Sequence, residues 1–222
     1  MIDPKKRYNR QADLVKLSLL QDKLVTIIGV GAVGRQIALS LASMGIPNIQ
    51  LIDFDRVEDV NLASQGYMEP DLAKFKAEAT AEHMARLNSD VNITIINEGW
   101  NPDLDVGHVV FCCVDDIEVR GLIFNAVKDK IELWVDGRMA KETLRVISAW
   151  DKPSNTYYAK TLFTKAEAYQ GACTARSTIY TSNVIAGMMV CQLTKKLRGT
   201  ILDRDLQFNM FTSEFSAEDI SK

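Results

Sequence analysis

The sequence predicts an α/β fold, a doubly wound and mostly parallel sheet with a C-terminal antiparallel extension. Three observations predict it. Compact β-branched runs alternate with segments of helical period as far as Gly137; a glycine-rich turn joins the first run to the first helix; and after Gly137 strand-like runs follow one another directly.

Each element follows in order. DLVKLSLLQDK (residues 13–23) has apolar positions at helical spacing and predicts a short leading helix. KLVTIIG is the first strand, and RQIALSLASMG, closed by Gly45, is the first long helix. NIQLIDFD is the second strand, LAKFKAEATAEHMARLN an amphipathic helix and NITIIN the third strand. HVVFCCVDD is apolar on both faces, as a central parallel strand is, with VRGLIFNAVKD as its helix and ELWVDG as the fifth strand. TLRVISAW and TYYAKTLF are strand-like and predict a hairpin; a long helix follows, about Arg176 to Leu197. LQFNMF predicts a last edge strand and SAEDISK a frayed tail.

With 222 residues, 47% of them apolar, the chain is long enough for one well-buried domain, expected over 1–222: an N-terminal segment and helix (1–23), a nucleotide-binding half (24–137), and a sheet extension, crossover segment and long helix (138–222). A net charge of −3 with both signs interspersed offers no basic field for nucleic acid or an anionic membrane. MIDPKKRYNRQ has no apolar signal region, and the longest apolar run, around Val184 to Cys191, is too short to cross a bilayer, so a cytoplasmic protein is expected. The four cysteines read as reduced thiols, with Cys112 and Cys113 as strand filling, and no CxxC or histidine cluster offers a zinc ligand set. No zinc is expected.

Gly29, Gly31 and Gly34 form GVGAVG between a strand and a helix. That spacing lets the backbone turn tightly and present amides to a phosphate at a positive helix end. Asp53 closes the second strand about twenty residues later, where an acid hydrogen-bonds a ribose hydroxyl. The bland alternative is a set of glycines that serves only close helix–strand packing.

RYNRQ, GVGAVG, LIDFDRVEDVNLASQ, AKFKAE and CCVDD occur in the order and spacing of the ThiF/MoeB/HesA superfamily, which includes the ubiquitin-activating enzymes, and the chain resembles that superfamily from residue 7 to about 197. The resemblance implies a Rossmann-like adenylation domain in which Asp53 holds the ATP ribose, Asn61, Lys76 and Arg10 address the phosphates, and Asp115 coordinates magnesium. Gln65 and Asp55 belong to the same nucleotide-binding stretch. In family dimers the arginine of the RYxRQ segment reaches the partner's nucleotide, so a homodimer is expected, with Arg10 crossing between subunits. Each residue also has an ordinary reading: Lys76 as a solvated helix charge, Asp115 as a helix cap, Arg10 as a surface charge and Asp55 as a cap on the VEDVNL turn.

Two departures qualify the resemblance. The family's NLxRQ reads Asn61-Leu62-Ala63-Ser64-Gln65 here, so Ser64 replaces a phosphate-binding arginine; Arg138, after the fifth strand, is the candidate substitute, with a plain turn arginine as the alternative. The zinc CxxC pairs of many relatives are also missing.

The implied reaction is attack of a carboxylate on the α-phosphate of ATP, giving an acyl-adenylate and pyrophosphate, and the implied partner is a ubiquitin-like or sulfur-carrier protein with a C-terminal glycine. No general base is needed, because a carboxylate is already ionised at neutral pH. Cys173 stands where relatives carry a cysteine in the crossover segment, beside Arg176, and is a candidate for a thioester or persulfide link; the alternative is a small loop residue without chemistry. Three alternatives remain: a non-catalytic nucleotide-binding scaffold, suggested by Ser64; an NAD-dependent reductase, which the glycine loop and Asp53 equally permit; and a carboxylate-activating enzyme that modifies a peptide or a tRNA base.

Overall fold

The computed structural model describes residues 4–15, 17–19, 21–163 and 178–218. In chain order the elements are α1 (Pro4–Tyr8), β1 (Leu24–Ile28), α2 (Ala32–Met44), β2 (Asn48–Ile52), α3 (Asp59–Gln65), α4 (Lys76–Leu87), β3 (Asn92–Ile96) and β4 (Val109–Cys112). They continue with α5 (Ile117–Val127), β5 (Leu133–Ala140), β6 (Thr143–Ala149), α6 (Lys152–Lys160), α7 (Ile179–Arg198), β7 (Asp205–Asn209) and β8 (Glu214–Ala217).

The eight strands form one sheet in the order β3-β2-β1-β4-β5-β6-β7-β8. The pairs from β3 through β5 are parallel and those from β5 through β8 antiparallel, so the predicted α/β architecture and its antiparallel extension are both present. The chain order reverses at β1, which has β2 on one side and β4 on the other. Open parallel sheets bind ligands at the carboxyl ends of their strands beside such a reversal.

Strand periodicity divides the core. Val25, Ile27, Ile49, Leu51, Val109 and Phe111 face Ile37 and Leu41 of α2, Met84 of α4 and Ile185 and Met189 of α7. Their neighbours Ile28, Ile52, Val110 and Cys112 face Ile123 and Phe124 of α5 and Tyr158 of α6. A parallel strand so covered must be apolar on both sides, which is why these strands read as continuous β-branched runs. Among the described residues no helix is long and apolar enough to cross a membrane.

The extension departs from the expected one in several places. TYYAKTLF is not a strand: residues 152–160 are helical, because Asp151 caps the Ser154 amide at 2.9 Å and Pro153 suits a helix's first turn. That local signal outweighs the strand preference of paired tyrosines, and Tyr158 packs between Phe124 and Trp134 with ring centroids 4.3 and 5.5 Å away. The hairpin is instead β5 with β6, because β5 runs on through Gly137 to Ala140. A Cβ at Gly137 would stand 2.3 Å from the Met189 sulfur, so the glycine admits α7 against the sheet and does not end the strand. LQFNMF does contribute β7, but the edge strand is β8, whose last two residues, Ser216 and Ala217, belong to the segment read as a frayed tail. Among the described residues the expected leading helix over 13–23 is replaced by a 3₁₀ turn at Leu17–Leu19, after α1 and a 3₁₀ turn at Asn9–Gln11. The long helix starts at Ile179, capped by Thr178.

Candidate functional site

The glycine loop lies where β1 ends. Gly29 has φ of 86°, and a Cβ there would stand 2.9 Å from the Cys113 carbonyl; a Cβ at Gly34 would stand 1.9 Å from the Gly29 oxygen. Only glycine allows that approach, which brings the loop against the end of β4. Gly31 begins α2 without any side-chain cap, so the amides of the first turn open towards the loop.

Asp53 follows β2 and is buried. Its Oδ2 accepts from the Val30 amide at 2.5 Å and its Oδ1 from the Asp55 amide at 2.8 Å. Burial raises its pKa above the ordinary carboxylate value, and the two backbone donors oppose that. Asp55 reaches across to α4: Lys76 Nζ donates to Asp55 Oδ2 at 2.8 Å and the Lys76 amide to the Asp55 carbonyl at 2.8 Å. Lys76 is therefore not a solvated helix charge. It opens α4 and is 7% exposed, while the Asp55 side chain is 49% exposed.

The α3 cap belongs to Glu58, which forms a reciprocal capping box with Asn61, so Asp55 does not cap that turn. The Asn61 oxygen accepts from the Glu58 amide at 2.9 Å. Ser64 turns its hydroxyl back to the Val60 carbonyl of its own helix, 2.8 Å away. The Gln65 Oε1 is buried without a partner among the described residues, 3.7 Å from where a Cβ on Gly31 would stand. An orphaned acceptor over a backbone with no side chain is the mark of a cradle that a bound molecule completes.

Asp115 is exposed at the carboxyl end of β4, and the helix cap proposed for it falls on its neighbour: Asp116 accepts the Glu118 and Val119 amides at 2.8 and 3.2 Å. Arg138 lies within β5 and not in a turn. Its Nε donates to Asp136 at 2.8 Å, Nη1 to the Thr161 carbonyl at 2.8 Å and Nη2 to the Thr161 hydroxyl at 3.1 Å. Asp136, fully buried, also pairs with Arg120 and accepts from the Tyr158 hydroxyl at 3.0 Å. Burial lowers the Arg138 pKa.

Arg10 stands apart from this group. Its segment is pinned to the far end of α2, where Gln11 donates to the Met44 carbonyl at 2.6 Å and Asn88 to the Tyr8 hydroxyl at 2.9 Å. The 13 residues of α2 separate it by about 20 Å from the glycine loop of its own chain. Cys173 lies outside the described residues. Burial raises the thiol pKa values of Cys112 and Cys113, consistent with strand filling.

Five residues that the sequence reading passed over complete the surroundings: Tyr67, Asp71, Thr80, His83 and Arg35. Lys76, Thr80 and His83 recur at i, i+4 and i+7 on the buried face of α4, a polar stripe on an alanine-rich helix that was legible beforehand.

Comparison with known proteins decides the family, since residues 8–221 match the ThiF family. The chain belongs to the ThiF family. Over 203 residues it is 26% identical to ubiquitin-like modifier-activating enzyme 5 of Caenorhabditis briggsae, covering 80% of this chain and 47% of the relative. Over 125 residues it is 32% identical to the molybdopterin-synthase adenylyltransferase of Salmonella typhimurium, covering 51% of this chain and 50% of that enzyme. The chain thus spans about half the length of the curated relatives it matches. Among solved structures, PaaA superposes with a TM-score of 0.77 at 21% identity, covering 100% of this chain and 75% of PaaA. E. coli MccB, crystallised with ATP, gives 0.76 at 17%, covering 96% of this chain and 71% of MccB. Both share the fold of this ThiF chain.

Proposed function

We propose that this ThiF-family chain uses ATP to adenylate a carboxylate, the C-terminal glycine of a ubiquitin-like or sulfur-carrier protein, and releases pyrophosphate. The observation that carries the reading is the meeting of Asp53, Asp55 and Lys76 around the glycine loop at the carboxyl ends of β1 and β2. The uncapped first turn of α2 and the orphaned Gln65 oxygen fit a nucleotide with its phosphates at that helix end. Relatives named as adenylyltransferases and ubiquitin-like activating enzymes support the same chemistry.

ATP, when bound, supplies the α-phosphate that the incoming carboxylate attacks. Asp53 is placed to accept a ribose hydroxyl, since each carboxylate oxygen keeps a lone pair beyond its backbone bond. Lys76 exchanges Asp55 for a phosphate oxygen, an exchange eased by the half-exposed acid, which returns to water when released. Asn61 and Gln65 line the same side. Asp115 would hold magnesium through its exposed carboxylate, and the ion would neutralise charge on the phosphates. Arg10, about 20 Å from its own loop, would serve the nucleotide of a second subunit in a homodimer. Cys173 is retained as a candidate acyl acceptor after adenylation.

The test is exchange of labelled pyrophosphate into ATP in the presence of carrier proteins ending in Gly-Gly. Carrier-dependent exchange is expected. Its absence with every carrier, alongside bound reduced nicotinamide detected by fluorescence, would favour the reductase reading.

A further inference from the structure

The Val30 peptide, in the middle of the glycine loop, is held on both sides. Its N–H is bound by Asp53 and its carbonyl accepts from the Tyr67 hydroxyl at 2.6 Å. The same hydroxyl lies 3.3 Å from the Lys76 carbonyl and 3.1 Å from the Thr80 hydroxyl one turn further along α4. Lys76 in turn is tied through its own amide to Asp55, and Asp55 through its amide to Asp53. Val30, Asp53, Asp55 and Lys76 therefore form a chain of hydrogen bonds beside the proposed phosphate site, and Tyr67, bonded to the Val30 carbonyl and to Thr80, joins the loop end of that chain to α4. Tyr67 links the loop to α4, through Val30 and Thr80, without running through a carboxylate of that chain.

We infer that Tyr67 is a positioning residue whose hydroxyl sets the glycine loop and the start of α4 at a fixed separation. A phenol has one proton, and the 2.6 Å contact is where it goes; the Thr80 hydroxyl donates back to the phenol oxygen. Burial favours the protonated phenol, so the donor persists across the neutral range. The ring cannot swing. Arg35, in the first turn of α2, stacks its guanidinium 4.8 Å from the ring centroid and is itself held by His83 at 2.7 Å, which pairs with Asp71 at 3.2 Å. Asp71 fastens the loop behind Tyr67 by accepting the Met68 amide at 2.8 Å.

The inference rests on the adenylation reading for its purpose, though not for its test. Loop amides and Lys76 can share one phosphate chain only if their spacing is set before the nucleotide arrives, and a looser spacing is felt as weaker nucleotide binding. Tyr67→Phe keeps the ring and its stack with Arg35 and removes only the proton. In the ligand-free chain, amide hydrogen exchange at Val30 and Lys76 should quicken about tenfold, the size expected from leaving one buried carbonyl without its donor, while amides of β4 stay as in the wild type. In pyrophosphate exchange the KM for ATP should rise by a similar factor with kcat little changed. Unchanged protection at both amides, or a loss spread evenly over the sheet, would overturn the inference, and so would an unchanged KM in an active enzyme. Should Tyr67→Phe not fold, Thr80→Val takes its place: faster exchange at the same two amides supports the inference and unchanged exchange overturns it. A wild-type chain without pyrophosphate exchange would sink the adenylation reading alone, since amide exchange needs no nucleotide.

Discussion

Two ion-pair clusters stand at the carboxyl ends of the parallel strands and are built on opposite terms. In the first, buried Lys76 meets Asp55, whose side chain is 49% exposed, and Asp53 beside them adds a second acid. In the second, Asp136 has no exposed surface and is shared by Arg120 and Arg138, which leaves one positive charge in excess. A half-exposed acid gives up its partner cheaply because water replaces the lysine, whereas a buried acid cannot. The first cluster is thus suited to exchange a partner for a ligand, and the second to hold its shape and supply a field. The ladder Ile28–Cys112–Asp136 puts the second cluster two strand spacings from the glycine loop's base, about 10 Å.

The largest effect should come from the buried acid. Asp136→Ala leaves two arginines without their counter-charge and should cost about 3–5 kcal/mol of stability, read by urea unfolding. A loss below about 1 kcal/mol would mean that water reaches Arg120 and Arg138, and the contrast between the clusters would fail.

Lys76 and Asp136 also mark what the sequence could and could not disclose. The sheet from β1 to β5, the glycine loop and Asp53 were legible because parallel strands are apolar on both faces and the loop is a fixed-spacing motif, whereas Lys76 was legible only through the family resemblance. The extension was less so. Whether Tyr157 and Tyr158 are strand or helix depends on a cap at Asp151, six and seven residues upstream, and whether β5 stops at Gly137 depends on a helix about fifty residues away. Arg138 read as a turn residue because its partner Asp136 looks, in sequence, like ordinary strand-end punctuation. The joint made by Tyr67 brings Val30 to Thr80, fifty residues apart, and no local pattern announces it.

Lys76→Ala should show the opposite profile from Asp136→Ala. Its partner Asp55 is left facing water, so stability should change by less than about 1 kcal/mol. Pyrophosphate exchange should fall on the order of a hundredfold with the loss of a cation aimed at the transferring phosphate. Near-normal exchange with the correct carrier would remove Lys76 from the site; a large stability loss would make the first cluster structural like the second.

Arg138→Ala tests whether the excess charge matters. One unit charge about 10 Å from a phosphate is worth roughly 1.7 kcal/mol at an effective dielectric near 20, so exchange should fall about tenfold. Asp136 keeps Arg120 and the Tyr158 hydroxyl, so the stability loss should stay near 1–3 kcal/mol. Ser64→Arg in the same chain should then recover most of the lost exchange, because it restores the missing cation on α3. Failure of that rescue, with the tenfold loss still present, would assign Arg138 to holding Thr161 and not to the charge balance.

The smallest effect concerns the layer beneath Lys76, where His83 joins Asp71 and Arg35. Burial lowers the His83 pKa below 6.5; Asp71 opposes the shift, and the positive charges of Arg35 and Arg86 reinforce it. The unfolded chain therefore takes up its proton at higher pH than the folded one. Stability should be level above about pH 6.5 and fall as the pH drops below it, with a slope of at most about 1.4 kcal/mol per unit for this one proton. The slope ends once the pH passes below the folded value, where both states are protonated. The carboxylates with lowered pKa, Glu132 and Asp205, lose their contribution only near and below the ordinary carboxylate range, while Asp53, raised by burial, adds a slope of opposite sign above it, so the difference between wild type and a His83 variant across pH 5 to 7.5 isolates the histidine. His83→Gln should be less stable at neutral pH yet lose less stability than the wild type as the pH falls across that interval. An equal slope in the variant would place the titrating group elsewhere and separate the Asp71–His83–Arg35 layer from the acid response of the fold.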